Sequence, residues 1–229
     1  MKCDIFNTKE IKDANAVRSG KRRFCLPVLA MILSFTFILA SLSGCILDVS
    51  EGINSITGNN EETNANLLEN PGFEEIDNGA PEEWFKACIA SNGLSMYSDK
   101  FEKHGGARSA CISNSYTYPE YNGNVYNNWG QTMYGAKVLI GKSIIISGWI
   151  RTEKVTSDGA FLMLQCWDNE YTTIFDQSTT SEAKGNSGWK YYKTSPMIVP
   201  QGTEMLLARA GLHGTGTAWF DDLKVTVVS

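Results

Sequence analysis

The chain has 229 residues and a net charge of −5, and its 42% hydrophobic content is sufficient for a substantial core. The first 44 residues hold seven Lys and Arg and three acids, which leaves 13 basic and 22 acidic residues, a net charge of −9, in the remainder. Nucleic-acid binding depends on neutralising phosphates with basic side chains, so this acidic body argues against a nucleic-acid partner.

The N-terminal segment has the order of a secretory signal. A basic run over 21–23 precedes an apolar stretch over 24–42, and Leu42-Ser43-Gly44 stands directly before Cys45. Basic, then apolar, then small residues are typical of an export signal. Residues 42–45 resemble the lipobox of bacterial lipoproteins. The resemblance implies that residues 1–44 are a signal peptide and that the Cys45 thiol is lipidated.

The alternative is an uncleaved transmembrane anchor, because the apolar run is close to the ~20 residues that span a bilayer. Either interpretation puts the remainder at the bacterial cell membrane, facing outside the cytoplasm. Residues 46–65 are rich in Asn, Glu, Ser, Thr and Gly, so we predict that 45–65 is the lipidated cysteine with a flexible tether. Residues 66–229 suit one domain.

The domain shows almost no helical periodicity. Short apolar or alternating runs rich in β-branched and aromatic residues predict strands near 84–90, 109–113, 130–134, 143–151, 160–167, 189–199, 204–212 and 218–228. Turn signals such as Asn92-Gly93, Asp158-Gly159 and Gln201-Gly202 separate them. This spacing predicts an all-β antiparallel sandwich.

Several short motifs resemble the carbohydrate-binding modules grouped as families four, nine, sixteen and twenty-two. These are Asn70-Pro71-Gly72-Phe73-Glu74 with Trp84, the turn over 104–110, Ser147-Gly148-Trp149 with its continuation to Thr152, Gly188-Trp189-Lys190, and the closing segment 218–223. Their order and spacing cover nearly the whole domain. The resemblance implies a jelly-roll β-sandwich of two antiparallel sheets, of the galactose-binding-domain-like type.

The same resemblance implies a structural calcium ion that ties the first strand to the last. Calcium accepts six to eight oxygen ligands in flexible geometry, so donors from distant segments suit it. The ligands implied are the Gly72 carbonyl, the carboxylates of Glu74 and Asp221, and, near the His104 turn, Glu102 with a backbone oxygen of Gly105. The alternative is that no ion is bound: Glu74 and Glu75 would cap a turn, and Asp221 and Asp222 would be solvated acids at the end of a strand.

A sugar-binding site needs flat aromatic faces and a few directional hydrogen-bonding groups. Alternation puts Gln165 and Trp167 on one face of their strand, and Arg209 opposite in phase to its Ala neighbours. A polar residue within an apolar strand costs free energy unless it finds partners, so we expect these side chains to face solvent. The predicted ligand contacts are Trp129, Trp167, Gln165, Arg209, Tyr126 and Tyr171. A Tyr-rich loop over 116–126 is expected to wall the site.

The remaining aromatic residues and the cysteines are predicted to have structural roles, and the histidines are not predicted to bind a metal. Trp84, Trp149, Trp189 and Trp219 are assigned to packing. The three cysteines of the domain are expected to be small core residues, and a Cys88–Cys111 disulfide stays open. The two histidines lack zinc-like spacing, which argues against a transition-metal site.

No catalytic motif stands out. Adjacent acids such as Asp221 and Asp222 point to opposite faces of a strand, and no nucleophile elbow or phosphate loop occurs. We therefore expect no enzyme activity, but non-catalytic binding of a polysaccharide or oligosaccharide by a lipid-anchored protein. The alternatives are an adhesive domain that binds a protein or the cell wall, and an accessory subunit that recruits a separate glycoside hydrolase.

Overall fold

A computed structural model of the chain describes residues 65–178 and 183–228. The predicted signal peptide, Cys45 and all but the last residue of the predicted tether lie outside this part of the chain. Within it, no helix is long and apolar enough to cross a membrane. The described residues form twelve strands: β1 Ile76–Asp77, β2 Ala80–Pro81, β3 Phe85–Ala87, β4 Leu94–Asp99, β5 Ser109–Asn114, β6 Tyr126–Tyr134, β7 Ser143–Trp167, β8 Thr173–Ser178, β9 Ala183–Lys193, β10 Met197–Ile198, β11 Met205–His213 and β12 Gly216–Val228. Short 3-10 turns occupy Pro119–Tyr121 and Ala136–Leu139.

The strands form two antiparallel layers. The front sheet has the order β3-β6-β11-β7-β8, and the back sheet has the order β4-β5-β12-β7-β9, with β10 also beside β7. β1 and β2 form a separate small hairpin. The predicted all-β jelly-roll sandwich is confirmed.

Strand β7 belongs to both layers. Its residues 143–153 pair with β12 in the back sheet, whereas residues 159–167 pair with β11 in the front sheet. Between the two halves the backbone bends at Lys154, Ser157 and Gly159, which have φ values of 54°, 56° and 93°. The left-handed value suits Gly159, where a Cβ would also lie 2.8 Å from the Ala183 carbonyl oxygen. The Asp158-Gly159 signal therefore marks a bend within one strand rather than a turn between two.

The core lies between the two sheets and follows strand alternation. From β11 it takes Leu206, Ala208, Ala210 and Leu212, and from the back sheet Ile112, Ile146, Phe220 and Val225, all fully buried. Cys88 and Cys166 are buried in this core, as expected, whereas Cys111 is buried but lies outside it. Cys111 is a free thiol, which excludes a disulfide between Cys88 and Cys111.

Several strands differ from the prediction in their boundaries or were not predicted. The predicted strand over 189–199 ends at Lys193 and resumes at Met197, because Pro196 cannot donate to a ladder. β4 and β8 were not predicted. In β4 only Leu94, Met96 and Asp99 are buried, and the sequence carries too few apolar residues to signal a strand.

Candidate functional site

The opening bend and the closing strand meet in space. The Leu223 amide donates to the Pro71 carbonyl at 2.9 Å, and the Leu67 amide donates to the Val225 carbonyl at 2.9 Å. A Cβ on Gly72 would lie 3.9 Å from Asp221 Oδ1. The two ends of the domain are therefore joined at the place where the sequence predicts an ion.

Two carboxylates at this junction accept backbone hydrogen bonds from the turn over 104–108. Both Glu74 oxygens accept from the Ala107 amide at 2.9 Å, and Asp221 Oδ2 accepts from the amides of His104 at 2.8 Å and Gly105 at 3.1 Å. Asp221 is fully buried. Burial raises the pKa of its carboxyl to about 6, and the charge of Asp222 acts in the same direction. A cation here would stabilise the ionised form.

The donor types at the junction fit calcium, with one change to the predicted set. Gly72, Glu74, Gly105 and Asp221 come together, but Glu102 instead pairs with Arg151, with 3.1 Å between Oε2 and Nε. We therefore withdraw Glu102 as a predicted ligand.

The acid that the sequence analysis missed is Asp222, which lies beside Gly105 at the β12 bulge. No group of three or more His, Cys, Asp or Glu side chains in the described residues could hold a metal ion. Calcium at this junction would consequently rely on backbone carbonyls and water as well as carboxylates.

The second group of predicted residues lies on the outer face of the front sheet. In register, Met205 of β11 pairs with Trp167, Leu207 with Gln165, and His213 with Tyr126, so these side chains share a face with Arg209. Tyr171 packs against the small cluster of Trp167, Met205 and Leu207. The structure thus brings five of the six predicted ligand contacts to one face: Trp167, Gln165, Arg209, Tyr126 and Tyr171.

Arg209 is at the centre of this face. Its Nε donates to Gln165 Oε1 at 2.7 Å, and its Nη1 donates to Asn128 Oδ1 at 2.7 Å. The side chain is buried, and desolvation lowers the pKa of the guanidinium to about 10, so it stays charged at neutral pH. Asn128 was not predicted, although its position on β6 opposite Gly211 follows from the register.

Large side chains fill much of the same face. The Phe85 ring lies over Gly130, where a Cβ would come within 2.5 Å of it, and the Phe161 ring lies directly over Gly211. Tyr126 stacks on His213, with ring centroids 4.4 Å apart and planes inclined by 20°. Tyr126 is nevertheless 45% exposed, so a flat aromatic surface remains open at this end of the face.

Two buried nitrogen atoms at opposite ends of the face have no hydrogen-bond partner in the part of the chain that the structure describes. They are Trp167 Nε1 and His213 Nε2. Their strand positions are eight residues apart along β11, or about 27 Å at the usual rise. Unpaired buried polar atoms are rare in folded proteins, so each requires an explanation such as a ligand or a water.

Trp129 corrects the prediction that it contacts a ligand. It is fully buried between the sheets, and its indole N–H donates to the Cys111 carbonyl at 3.2 Å. Alternation puts it opposite in phase to Asn128 and Gly130, so it faces the core. In the loop predicted to wall the site, Tyr118 is also buried and donates to the Ile89 carbonyl at 2.8 Å, whereas Tyr116 and Tyr121 are exposed.

The tryptophans assigned to packing divide into two groups. Trp84 is in the core and contacts Phe73 with ring centroids 4.8 Å apart. Trp219 is buried on the outer face of the back sheet, where its indole donates to Asp99 Oδ2 at 2.9 Å. Trp149 and Trp189 are half-buried on that same outer face, so they are not core residues.

No protein-family model and no curated protein matches the chain. Among solved structures it is similar to the enzymatically active domain of tailspike protein 4 of bacteriophage CBA120, with a TM-score of 0.54 and 12% identity. That match covers 71% of this chain and 21% of the tailspike chain, so the chain spans about a fifth of that protein.

The chain is also similar to carbohydrate-binding modules. TmCBM61, solved with β-1,4-galactotriose, has a TM-score of 0.47 and 17% identity, over 72% of this chain and 99% of the module. The family 22 xylan-binding domain from Paenibacillus barcinonensis has a TM-score of 0.44 and 14% identity, over 72% and 96%. Modules of families 4 and 16 also match. Families 4, 16 and 22 are among those that the motifs resemble.

Proposed function

We propose that this chain is a non-catalytic carbohydrate-binding protein. The observation that carries the proposal is the outer face of the front sheet, where aromatic rings surround Arg209 and its amide partners Gln165 and Asn128. Pyranose rings are apolar on one face and carry hydroxyls at the rim, so this mixture of planes and directional groups complements them.

The binding contacts follow from the exposure of each side chain. Tyr126 offers an open ring face at one end, and Tyr171 is half-buried beside Trp167 at the other. The Trp167 indole N–H is buried and has no acceptor among the described residues, so a sugar hydroxyl would accept from it once the neighbouring Tyr171 ring moved aside. Because Phe85 and Phe161 fill the centre, the sugar would lie across a shallow surface rather than in a deep groove.

The test is calorimetric titration of the full chain with β-1,4-linked hexamers of glucose, xylose, mannose and galactose. Trp167→Phe keeps a ring but removes the N–H, so it should weaken binding about tenfold, the effect of one net hydrogen bond. Tyr126→Ala should weaken it further. Phe101→Ala is the matched control, because Phe101 is an exposed aromatic residue that contacts Lys100. Unchanged affinity in both site variants would remove this face as the site.

Calcium and the lipid anchor belong to the same proposal. Calcium held by Glu74, Asp221 and the carbonyls of Gly72 and Gly105, together with water, would place positive charge beside the buried Asp221 carboxylate and join the ends of the domain. Lipidation of Cys45 would hold the domain at the membrane, outside the cytoplasm. Loss of radiolabelled palmitate in Cys45→Ser, together with sensitivity of processing to globomycin, would support the anchor; a labelled variant would oppose it.

A second candidate is an adhesive domain that binds a protein or the cell wall. The specific observation in its favour is that Phe85 and Phe161 fill the front face over Gly130 and Gly211. A flat face filled by large side chains suits a broad partner such as a protein or the cell wall. Binding to isolated cell walls after enzymatic removal of polysaccharide, with no response to the hexamers, would favour this candidate.

A further inference from the structure

A second aromatic group lies on the outer face of the back sheet, on the other side of the molecule from the proposed site. We define the aromatic patch as Trp149, Trp189, Tyr191 and His104. His104 stacks on Trp149 with centroids 3.9 Å apart and an interplanar angle of 15°. Trp189 meets the edge of His104 at 5.9 Å, and Tyr191 meets Trp149 at 5.7 Å.

The patch is held in place but remains partly open. His104 Nδ1 lies 2.7 Å from Asp222 Oδ2, and its amide donates to Asp221, so the ring is fixed against Trp149. Trp189 and Tyr191 are two residues apart on β9 and therefore about 7 Å apart on one side of the strand. Tyr191 is 52% exposed and Trp189 is half-buried. Fixed, partly exposed rings offer contact area at little entropic cost.

A shallow depression of about 430 Å³ adjoins the aromatic patch, because Gly188, the residue before Trp189, lines it. It is lined by Arg151, Thr152, Glu153, Lys154, Asn186, Ser187 and Gly188. The pairing of β7 with β9 shifts register between Ile150 and Thr152, which interrupts the regular hydrogen-bond ladder at this point. A Cβ on Gly188, which lines the depression, would lie more than 4 Å from every residue other than its chain neighbours, so this part of the wall is open.

The chemistry of the depression favours a sugar over a protein. Its walls are hydroxyl, amide and charged groups, whereas the centre of a protein interface is apolar and depleted of charge. Its charges are also balanced, since Arg151 pairs with Glu102 at 3.1 Å and Lys154 lies 3.8 Å from Glu153. A polar, neutral hollow beside partly exposed aromatic rings suits an uncharged pyranose.

We propose that the aromatic patch and this depression form a second glycan-binding site, for uncharged sugar residues, on the back sheet. The inference rests on the proposed function, because it extends the same chemistry to another face. It would make one domain bivalent, with the two sites on opposite outer faces of the sandwich.

The test counts binding sites by calorimetry, with the full chain and the four β-1,4-linked hexamers. The front variant is Tyr126→Ala with Trp167→Phe. The back variants are Trp189→Ala, which removes the ring, and Gly188→Phe, which fills the depression without removing any existing contact. Phe101→Ala is again the control, and thermal melting verifies that each variant is folded.

Two sites in the wild type, one in the front variant and one in each back variant would support the inference. Binding that the front variant abolishes and both back variants leave unchanged would overturn the second site while the proposed function stands. Binding lost only in the back variants would support the patch and overturn the front assignment. If no hexamer binds the wild type, the proposed function and this inference are both overturned.

Discussion

The packing of Phe161 on Gly211 gives a quantitative test of the front face. The three atoms nearest to a Cβ at Gly211 all belong to the Phe161 ring, and they lie too close for the ring to stay in place. The backbone has little freedom to yield, because β11 is hydrogen-bonded to β6 on one side and β7 on the other. Gly211→Ala must therefore displace the ring.

Overpacking of this kind costs about 1–3 kcal/mol in the free energy of unfolding. For a domain of this size, each kcal/mol lowers Tm by roughly 2–4 °C, so the expected fall is about 2–12 °C. The assay is thermal and urea unfolding of the full chain, followed by circular dichroism. In a Phe161→Ala background the obstacle is absent, and Gly211→Ala should cost less than about 0.5 kcal/mol.

Gly188→Ala is the matched control. No atom lies within 4 Å of its Cβ position, so the substitution should be neutral or stabilise by about 0.4–1 kcal/mol through the unfolded chain. The reasoning is refuted if Gly211→Ala costs the same with and without the Phe161 ring, because the loss would then have a source other than this contact.

Three further outcomes are expected. EDTA should lower the melting temperature of the wild type, and Asp221→Ala should remove that sensitivity because the ion loses its buried carboxylate. Trp129→Ala should cost about 3–5 kcal/mol in urea unfolding, since the ring is fully buried. Burial raises the pKa of the Cys111 thiol to about 12, so iodoacetamide at about pH 9 should modify it slowly in the folded protein and rapidly in urea. Because the folded state holds the thiol proton more tightly than the unfolded state, the contribution of Cys111 to stability should fall as the pH rises above the ordinary pKa of a cysteine thiol.

Each of these has a clear contrary result. Equal melting with and without EDTA would count against calcium at the junction. A Trp129→Ala variant that unfolds like the wild type would mean that the ring is not part of the core. Equal alkylation rates in buffer and in urea would show that the Cys111 thiol is accessible; Cys166, also a buried free thiol, provides an internal comparison.

The all-β antiparallel architecture was predictable from strand alternation and turn residues, which are local signals. The contact between the two ends of the domain was implied by the resemblance of the opening and closing motifs to a known family. The alternation of side chains along a strand also placed Gln165 and Trp167 on one face, and it placed Arg209 on the polar side of its own strand. It failed for Trp129, since a tryptophan near polar residues has the same pattern whether it faces solvent or the core. The side that Trp129 faces is decided by its place within β6, which begins at Tyr126 rather than near Gly130: Trp129 pairs with Ala210 of β11 and shares its core side.

Features that depend on packing across strands were not predictable. The Phe85 ring packs on Gly130 and the Phe161 ring packs on Gly211, and both contacts join residues of different strands. The stack of His104 on Trp149 joins residues about 45 positions apart through a loop and a strand. Glu102 could serve either the junction or Arg151, and only the three-dimensional arrangement decides between them.

The hydrogen bonds of Asn66 and Leu67 with β12 have a mechanical consequence. Asn66 donates to the Leu223 carbonyl and accepts from the Val225 amide, and Leu67 donates to the Val225 carbonyl, at 2.8, 3.0 and 2.9 Å. β12 is an interior strand, bonded to β5 on one side and β7 on the other. A pulling force applied to the chain before Asn66 would act on these hydrogen bonds. It would therefore be transmitted to an interior strand of the back sheet and would not peel off an edge strand.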